Sequence, residues 1–179
     1  ECDAYLITGS KSSVYDDKPW IRQLEDYTRL LVARRKKLIG ICFGHQLIAQ
    51  ALGGRTQKSD KGWGVGLHSS EVVQTPAWMT PQRNTFALLV SHQDQVTTLP
   101  KGATLIARND FCPHSSYQIG NHVLTFQGHP EFTPDYSRFS MTNRRALIGD
   151  ATYQQGINSL QHAYDHATVA KWLVNFIRG

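Results

Sequence analysis

No window of the sequence approaches the roughly 18 uninterrupted apolar residues that a membrane-spanning helix needs, so no membrane partner is expected. The N-terminus lacks the order of a secretory signal, because Glu1-Cys2-Asp3 leads straight into a short apolar run. An initiator methionine is missing too, which leads us to expect that the natural chain starts earlier. Cysteine is sparse. Cys2, Cys42 and Cys112 are odd in number and far apart, a poor basis for a disulfide framework, so a reducing, cytoplasmic setting is expected. Repeats, low-complexity stretches and linkers are absent, and 179 residues suffice for one substantial core, so residues 1–179 read as a single domain.

Charge adds little. The net charge of +5 raises the possibility of a nucleic-acid partner. Its densest basic run, however, is Arg34-Arg35-Lys36-Lys37, where a helix should end and its dipole favours cations. No basic stripe interleaved with aromatics occurs elsewhere, and no nucleic acid is expected. Of the 8 histidines only His162 and His166 share an i, i+4 helical spacing, without an H-E-x-x-H or a third ligand. No metal or other cofactor is expected. Gly53-Gly54 and Gly62-x-Gly64-x-Gly66 are weak as nucleotide loops, and the latter does not sit between a strand and a helix.

What is present reads as alternating strands and helices. Ala4-Tyr5-Leu6-Ile7, closed by Thr8-Gly9-Ser10, predicts a buried strand feeding a loop. Trp20, Ile21, Leu24, Tyr27 and Leu31 recur at helical spacing and predict a helix over 18–35. Leu38-Ile39-Gly40-Ile41 suits a strand covered on both faces. A helix over 46–52 follows, stopped by Gly53-Gly54. Strands are then predicted at 66–73, 86–90, 104–107, 115–118 and 122–126, with a hairpin turn at Gly120-Asn121. Helices are predicted over 134–147 and 166–177. The expected fold is α/β, with three layers and a mainly parallel central sheet flanked by helices.

Gly40-Ile41-Cys42-Phe43-Gly44 has the form G-x-C-x-G between a buried strand and a helix, the frame of a nucleophile elbow. The turn is so sharp that side chains at the glycine positions would meet neighbouring backbone. It lifts Cys42 onto the N-terminus of the next helix, where the dipole and free N–H groups favour negative charge. The N–H of Phe43 is a natural donor to an oxyanion. A lone cysteine is usually a small buried hydrophobe, and Cys2 and Cys112, which lack this frame, are read that way.

A cysteine attacking an amide needs a base that later protonates the departing nitrogen, with a group behind it to orient the ring. Phe126-Gln127-Gly128-His129-Pro130-Glu131 follows a predicted strand, and residues two apart on extended chain share a side. Pro130 pushes His129 toward extended geometry. His129 as base and Glu131 as its orienter therefore complete a triad with Cys42. The chain order differs from that of α/β-hydrolases, in which an acid precedes a distant histidine.

Gly40 to Gln46, G-I-C-F-G-H-Q, resembles the nucleophile motif of class I glutamine amidotransferases, and Q-G-H-P-E at 127–131 resembles their His–Glu motif. The similarity covers nearly the whole chain and implies that family's flavodoxin-like fold. It is nearest to the stand-alone GMP-synthase-like members and the plant γ-glutamyl peptidases, through Ser13-Val14-Tyr15-Asp16-Asp17 and His92-Gln93-Asp94. The resemblance implies that Gly9 and Phe43 donate to the oxyanion and that Gln46 meets the α-amino-acid end of the substrate. It implies also that Ser91, His92 and Gln93 line the glutamine pocket. Two departures stand out. The oxyanion loop is T-G-S rather than a double glycine, and the strand–helix portion that family members carry before the position of Asp3 is absent here.

The expected activity is cleavage of a γ-glutamyl amide through a Cys42 thioester, on glutamine or larger γ-glutamyl compounds. One alternative is a glutaminase subunit that passes ammonia to a separate synthase partner. Another is a binding module that has lost its chemistry.

Overall fold

The computed structural model describes residues 2–179; Glu1, the first residue of the expected domain, lies outside them. The chain opens with β1 (Ala4–Ile7), α1 (Pro19–Ala33), β2 (Lys37–Ile41) and α2 (Phe43–Ala51). A strand-rich stretch follows: β3 (Arg55–Lys58), β4 (Gly64–Val72), β5 (Thr85–His92), β6 (Asp94–Thr98), β7 (Ala103–Arg108), β8 (Ser116–Ile119) and β9 (Val123–Phe126). Four helices close the chain: α3 (Pro134–Asn143), α4 (Arg145–Ile148), α5 (Asp150–Ser159) and α6 (His166–Arg178). No helix among the described residues is long and apolar enough to cross a membrane.

Seven strands form one sheet in the order β1-β2-β9-β8-β7-β4-β5, and β3 pairs with β6 in a separate ribbon. The α/β layering is as expected, but the sheet is mixed rather than mainly parallel. Only β1–β2 and β2–β9 run parallel, while β9–β8, β8–β7, β7–β4 and β4–β5 are antiparallel. Connection length explains this. A parallel join needs a crossover of a dozen or more residues, and the three residues between β8 and β9 can only make a hairpin.

Alternation along β2 builds the layers. Leu38 packs with Leu31, Ile48 and Ala49 against α1 and α2. Ile39 and Ile41 face the other way, joining Leu124, Phe126, Val169, Trp172 and Phe176 beneath α6. A buried strand with apolar residues on both faces needs such cover on each side. The sheet also curls: His129, beyond the end of β9, forms an isolated antiparallel bridge with Leu89 of β5, at the opposite edge. Asp165 covers part of that edge strand. Its carboxylate accepts from the Ala87 N–H at 2.9 Å, and its own N–H donates to the Ala87 carbonyl at 2.8 Å. Exposed strand edges are hazards for self-association, and this helix start blunts one.

The helix predicted over 134–147 is in fact two. Arg144 lies between α3 and α4 with φ −113° and ψ 10°, and its N–H reaches back only three residues, to Met141. The strands β3 and β6 and the helix α5 were not anticipated from the sequence.

Candidate active site

Register brings the candidate residues together. Ile7 pairs with Gly40 and Ile41 pairs with Phe126, so the carboxyl ends of β1, β2 and β9 finish side by side. Thr8-Gly9, Cys42 and Gln127-Gly128-His129 leave those three ends together. In open α/β sheets the carboxyl ends of parallel strands are where ligands bind.

Cys42 turns the chain from β2 into α2 with φ 52° and ψ −102°, a left-handed backbone that non-glycine residues seldom adopt. The neighbouring glycines permit it. A Cβ on Gly40 would stand 2.7 Å from Ile48 Cδ1 and 2.8 Å from the Gly44 carbonyl carbon. One on Gly44 would run into the Ile7 carbonyl oxygen, with the Ile7 carbonyl carbon at 2.8 Å. The elbow expected from G-x-C-x-G is therefore present, and its reason is steric. Phe43 is the first residue of α2, so its N–H has no acceptor within the helix.

His129 Nδ1 donates to Glu131 Oε1 at 2.7 Å, and Cys42 borders the same cavity as the imidazole. The ring is held from two more directions. Phe132 stacks on it with centroids 3.8 Å apart and planes at 11°, and the His129 backbone N–H donates to the Leu89 carbonyl at 2.9 Å. Burial alone would push the His129 pKa down. The sulfur and the Glu131 carboxylate outweigh it and carry it up to about 9. Gly9 comes close enough that a Cβ there would lie 3.0 Å from His129 Cε1 and 3.8 Å from Cys42 Cβ. A thiol and an imidazole backed by a carboxylate can attack an amide carbonyl and hand a proton to the departing nitrogen.

A cleft opens on both sides of Cys42. One lobe, of about 520 Å³, is lined by Phe43, Gln46, Ser91, His92, Gln93 and Asp94, among others. The other, of about 320 Å³, holds Gly9, His129, Glu131 and Tyr136. The nine residues singled out from the sequence thus all border the cleft. Gln46 is fixed through its amide nitrogen, Nε2 donating to the Asp94 carbonyl at 2.7 Å and to Gln127 Oε1 at 3.0 Å. His92 is a wall more than a reagent. Burial pushes its pKa down to about 3, and its ring bonds the Asp94 carbonyl through Nδ1 at 2.9 Å.

Sequence reasoning missed how this wall is braced. Ser13 Oγ donates to Asp94 Oδ2 at 2.5 Å and Tyr15 Oη to Asp94 Oδ1 at 2.7 Å, tying the loop after β1 to the start of β6. Both stretches had carried the family resemblance, but nothing in their spacing announced the contact. Trp63 and Arg144, which also line the larger lobe, had no sequence signal at all. Cys112, by contrast, is buried, and burial pushes its thiol up to about 12. No group of three or more His, Cys, Asp or Glu side chains among the described residues is arranged to hold a metal ion.

Comparison with known proteins agrees with this architecture. The family model for glutamine amidotransferase class-I matches residues 1–147. Gamma-glutamyl peptidase 3 of Arabidopsis thaliana is 34% identical over 146 residues, covering 74% of this chain and 56% of that protein. The gamma-glutamyl-L-1-hydroxyisopropylamide hydrolase of a Pseudomonas species is 30% identical over 174 residues, covering 90% and 58%. The chain therefore spans little more than half the length of these relatives. Among solved structures, a glutamine amidotransferase from Methylobacillus flagellatus superposes with a TM-score of 0.77 at 22% identity, over 99% of this chain and 75% of that one, which speaks to the fold.

Proposed function

Since the chain belongs to the class I glutamine amidotransferase family, we propose that it hydrolyses γ-glutamyl amides through a thioester on Cys42, with His129 and Glu131 completing the triad. The observation that carries this reading is the meeting, in one cleft, of a strained Cys42 at a helix N-terminus with the His129–Glu131 pair. The names of the two curated relatives favour γ-glutamyl compounds larger than glutamine as substrates.

On this reading the reaction runs as follows. The Cys42 sulfur, as thiolate beside the His129 imidazolium, attacks the γ-carbonyl carbon, and a C–S bond forms as negative charge moves to oxygen. The N–H groups of Phe43 and Gly9 are the donors to that oxygen. The C–N bond then breaks, the amine leaving with the proton from His129, and a γ-glutamyl thioester remains. Water attacks the thioester while neutral His129 takes its proton. The C–S bond breaks, glutamate departs and the thiolate–imidazolium pair is restored. Glu131 holds the ring in one tautomer and stabilises its charged form in both halves.

Under this reading no partner is needed, because water is the acyl acceptor. The test is hydrolysis of glutamine, glutathione and a γ-glutamyl anilide by the purified protein and by its Cys42→Ala variant. Release of amine from the larger compounds by the first but not the second is expected. A protein inert alone on all three, yet releasing ammonia from glutamine once a synthase partner is added, would establish the ammonia-donating subunit instead.

A further inference from the structure

On the hydrolase reading above, we infer that Arg144 is a specificity residue that grips a carboxylate on the leaving amine, so that preferred substrates are γ-glutamyl amino acids or peptides rather than neutral γ-glutamyl amides. Arg144 borders both lobes of the cleft, as do Ser10, Lys11, Cys42 and Ser91, so it stands at the junction where the scissile bond must lie. The lobe beside His129 is the one that receives the leaving group, because His129 supplies its proton.

The helix α3 shapes that lobe. Tyr136 and Ser140, four apart on α3, and Arg144, just past its end, all line the lobe. Among the described residues no carboxylate forms an ion pair with Arg144. The lobe's one acidic side chain, Glu131, is engaged by His129. Arg144 is half-buried and its aim is set by other contacts. Nη1 donates to Ser91 Oγ at 3.1 Å, and its Cζ sits 5.9 Å from the centroid of the Trp63 ring. A guanidinium has five N–H donors in a planar fork suited to a carboxylate, and only one is used here. Lys11, which also borders this lobe, adds a second positive charge.

Arg144 stands at the break between α3 and α4 and borders both lobes.

A matched pair of substrates tests the inference. γ-Glutamylglycine and γ-glutamylglycinamide differ only in the carboxylate of the leaving part. Wild-type protein should favour the first by about tenfold or more in kcat/KM, as a charge-assisted contact warrants. Arg144→Gln should bring that ratio close to one, and Arg144→Lys should retain part of it. Because each ratio comes from a single preparation, partial unfolding of a variant cancels. A wild-type ratio near one overturns the inference. So does an Arg144→Gln variant that slows both substrates equally, which would put the guanidinium on the γ-glutamyl part or in a structural role. A protein inert on both substrates refutes the hydrolase reading itself, and this inference falls with it.

Discussion

Replacing Glu131 with Gln isolates what its charge does, because the side chain keeps its shape and an oxygen that can still accept from His129 Nδ1. A hydrogen bond to a charged group is worth about 1.5–3 kcal/mol and a neutral one about 1 kcal/mol, so the charge accounts for about 0.5–2 kcal/mol. His129 is 5% exposed at its side chain but Glu131 is 51% exposed, and water on the outer carboxylate oxygen weakens the contribution. The lower half of that range applies, about 0.5–1 kcal/mol, or a loss of about two- to fivefold in kcat/KM. The pH profile carries a second signature. His129 is carried up to about 9 by the Cys42 sulfur and Glu131 acting against burial. The imidazolium, the proposed acid for the leaving amine, is present below that pH and lost as pH rises through it. Removing the carboxylate's charge takes away one of the two supports, so the alkaline limb of kcat/KM should move to lower pH. Linkage has the same sign: the stability that Glu131 gives through protonated His129 is full below about pH 6.5, the unfolded value, and fades as pH rises through about 9. The assay is amine release from a γ-glutamyl anilide between about pH 6 and pH 10, with His129→Ala alongside as the more severe variant. An unmoved limb with an unchanged rate, or a loss equal to that of His129→Ala, would refute the role given to Glu131.

Cys42→Ala should abolish turnover and leave thermal unfolding nearly unchanged, since the elbow depends on its glycines. A glutamine-mimicking electrophile should modify Cys42 and spare Cys2 and the buried Cys112, as peptide mapping would reveal; modification elsewhere with full activity retained would remove Cys42 from its role. Gly44→Ala should cost about 3 kcal/mol or prevent folding, because the new Cβ meets the backbone of Ile7, and a urea midpoint within error of wild type would contradict that. Trp172→Ala should cost about 3–5 kcal/mol by emptying a fully buried site and losing the Nε1–H bond to the Pro81 carbonyl, as denaturant unfolding would measure.

The sequence was most legible where local sterics decide. Gly40 and Gly44 frame Cys42 because of clashes within a few residues and with the adjacent strand, and the pattern shows it. His129 and Glu131 are two apart in sequence, so their contact too is local, although the chain between them makes a turn, closed by the Phe132 N–H on the His129 carbonyl at 3.3 Å, rather than the extended run expected. Long-range pairing was less readable. The strand Arg55–Lys58 has no apolar alternation to declare it, and it exists through its partner Asp94–Thr98. The break at Arg144 was hard to see because no Gly or Pro marks it, and Asn143 was the one weak sign. The antiparallel half of the sheet was foreshadowed by short, turn-rich connections whose topological meaning went unused.

The bridge from His129 to Leu89 has a consequence for how the cleft can change. Leu89 and Ser91 lie two apart on β5, so the His129 ring and the wall of the larger lobe hang from the same few residues of one strand. A substitution that shifts this strand moves grip and chemistry in step, and selection or design acting there cannot trade one against the other. Arg144 is attached differently, at the joint of two helices outside the sheet. It can be exchanged while the strand ends stay in place. The molecule therefore separates a part that must be inherited whole from a part open to retuning, and new leaving groups would be accommodated first on the helical side.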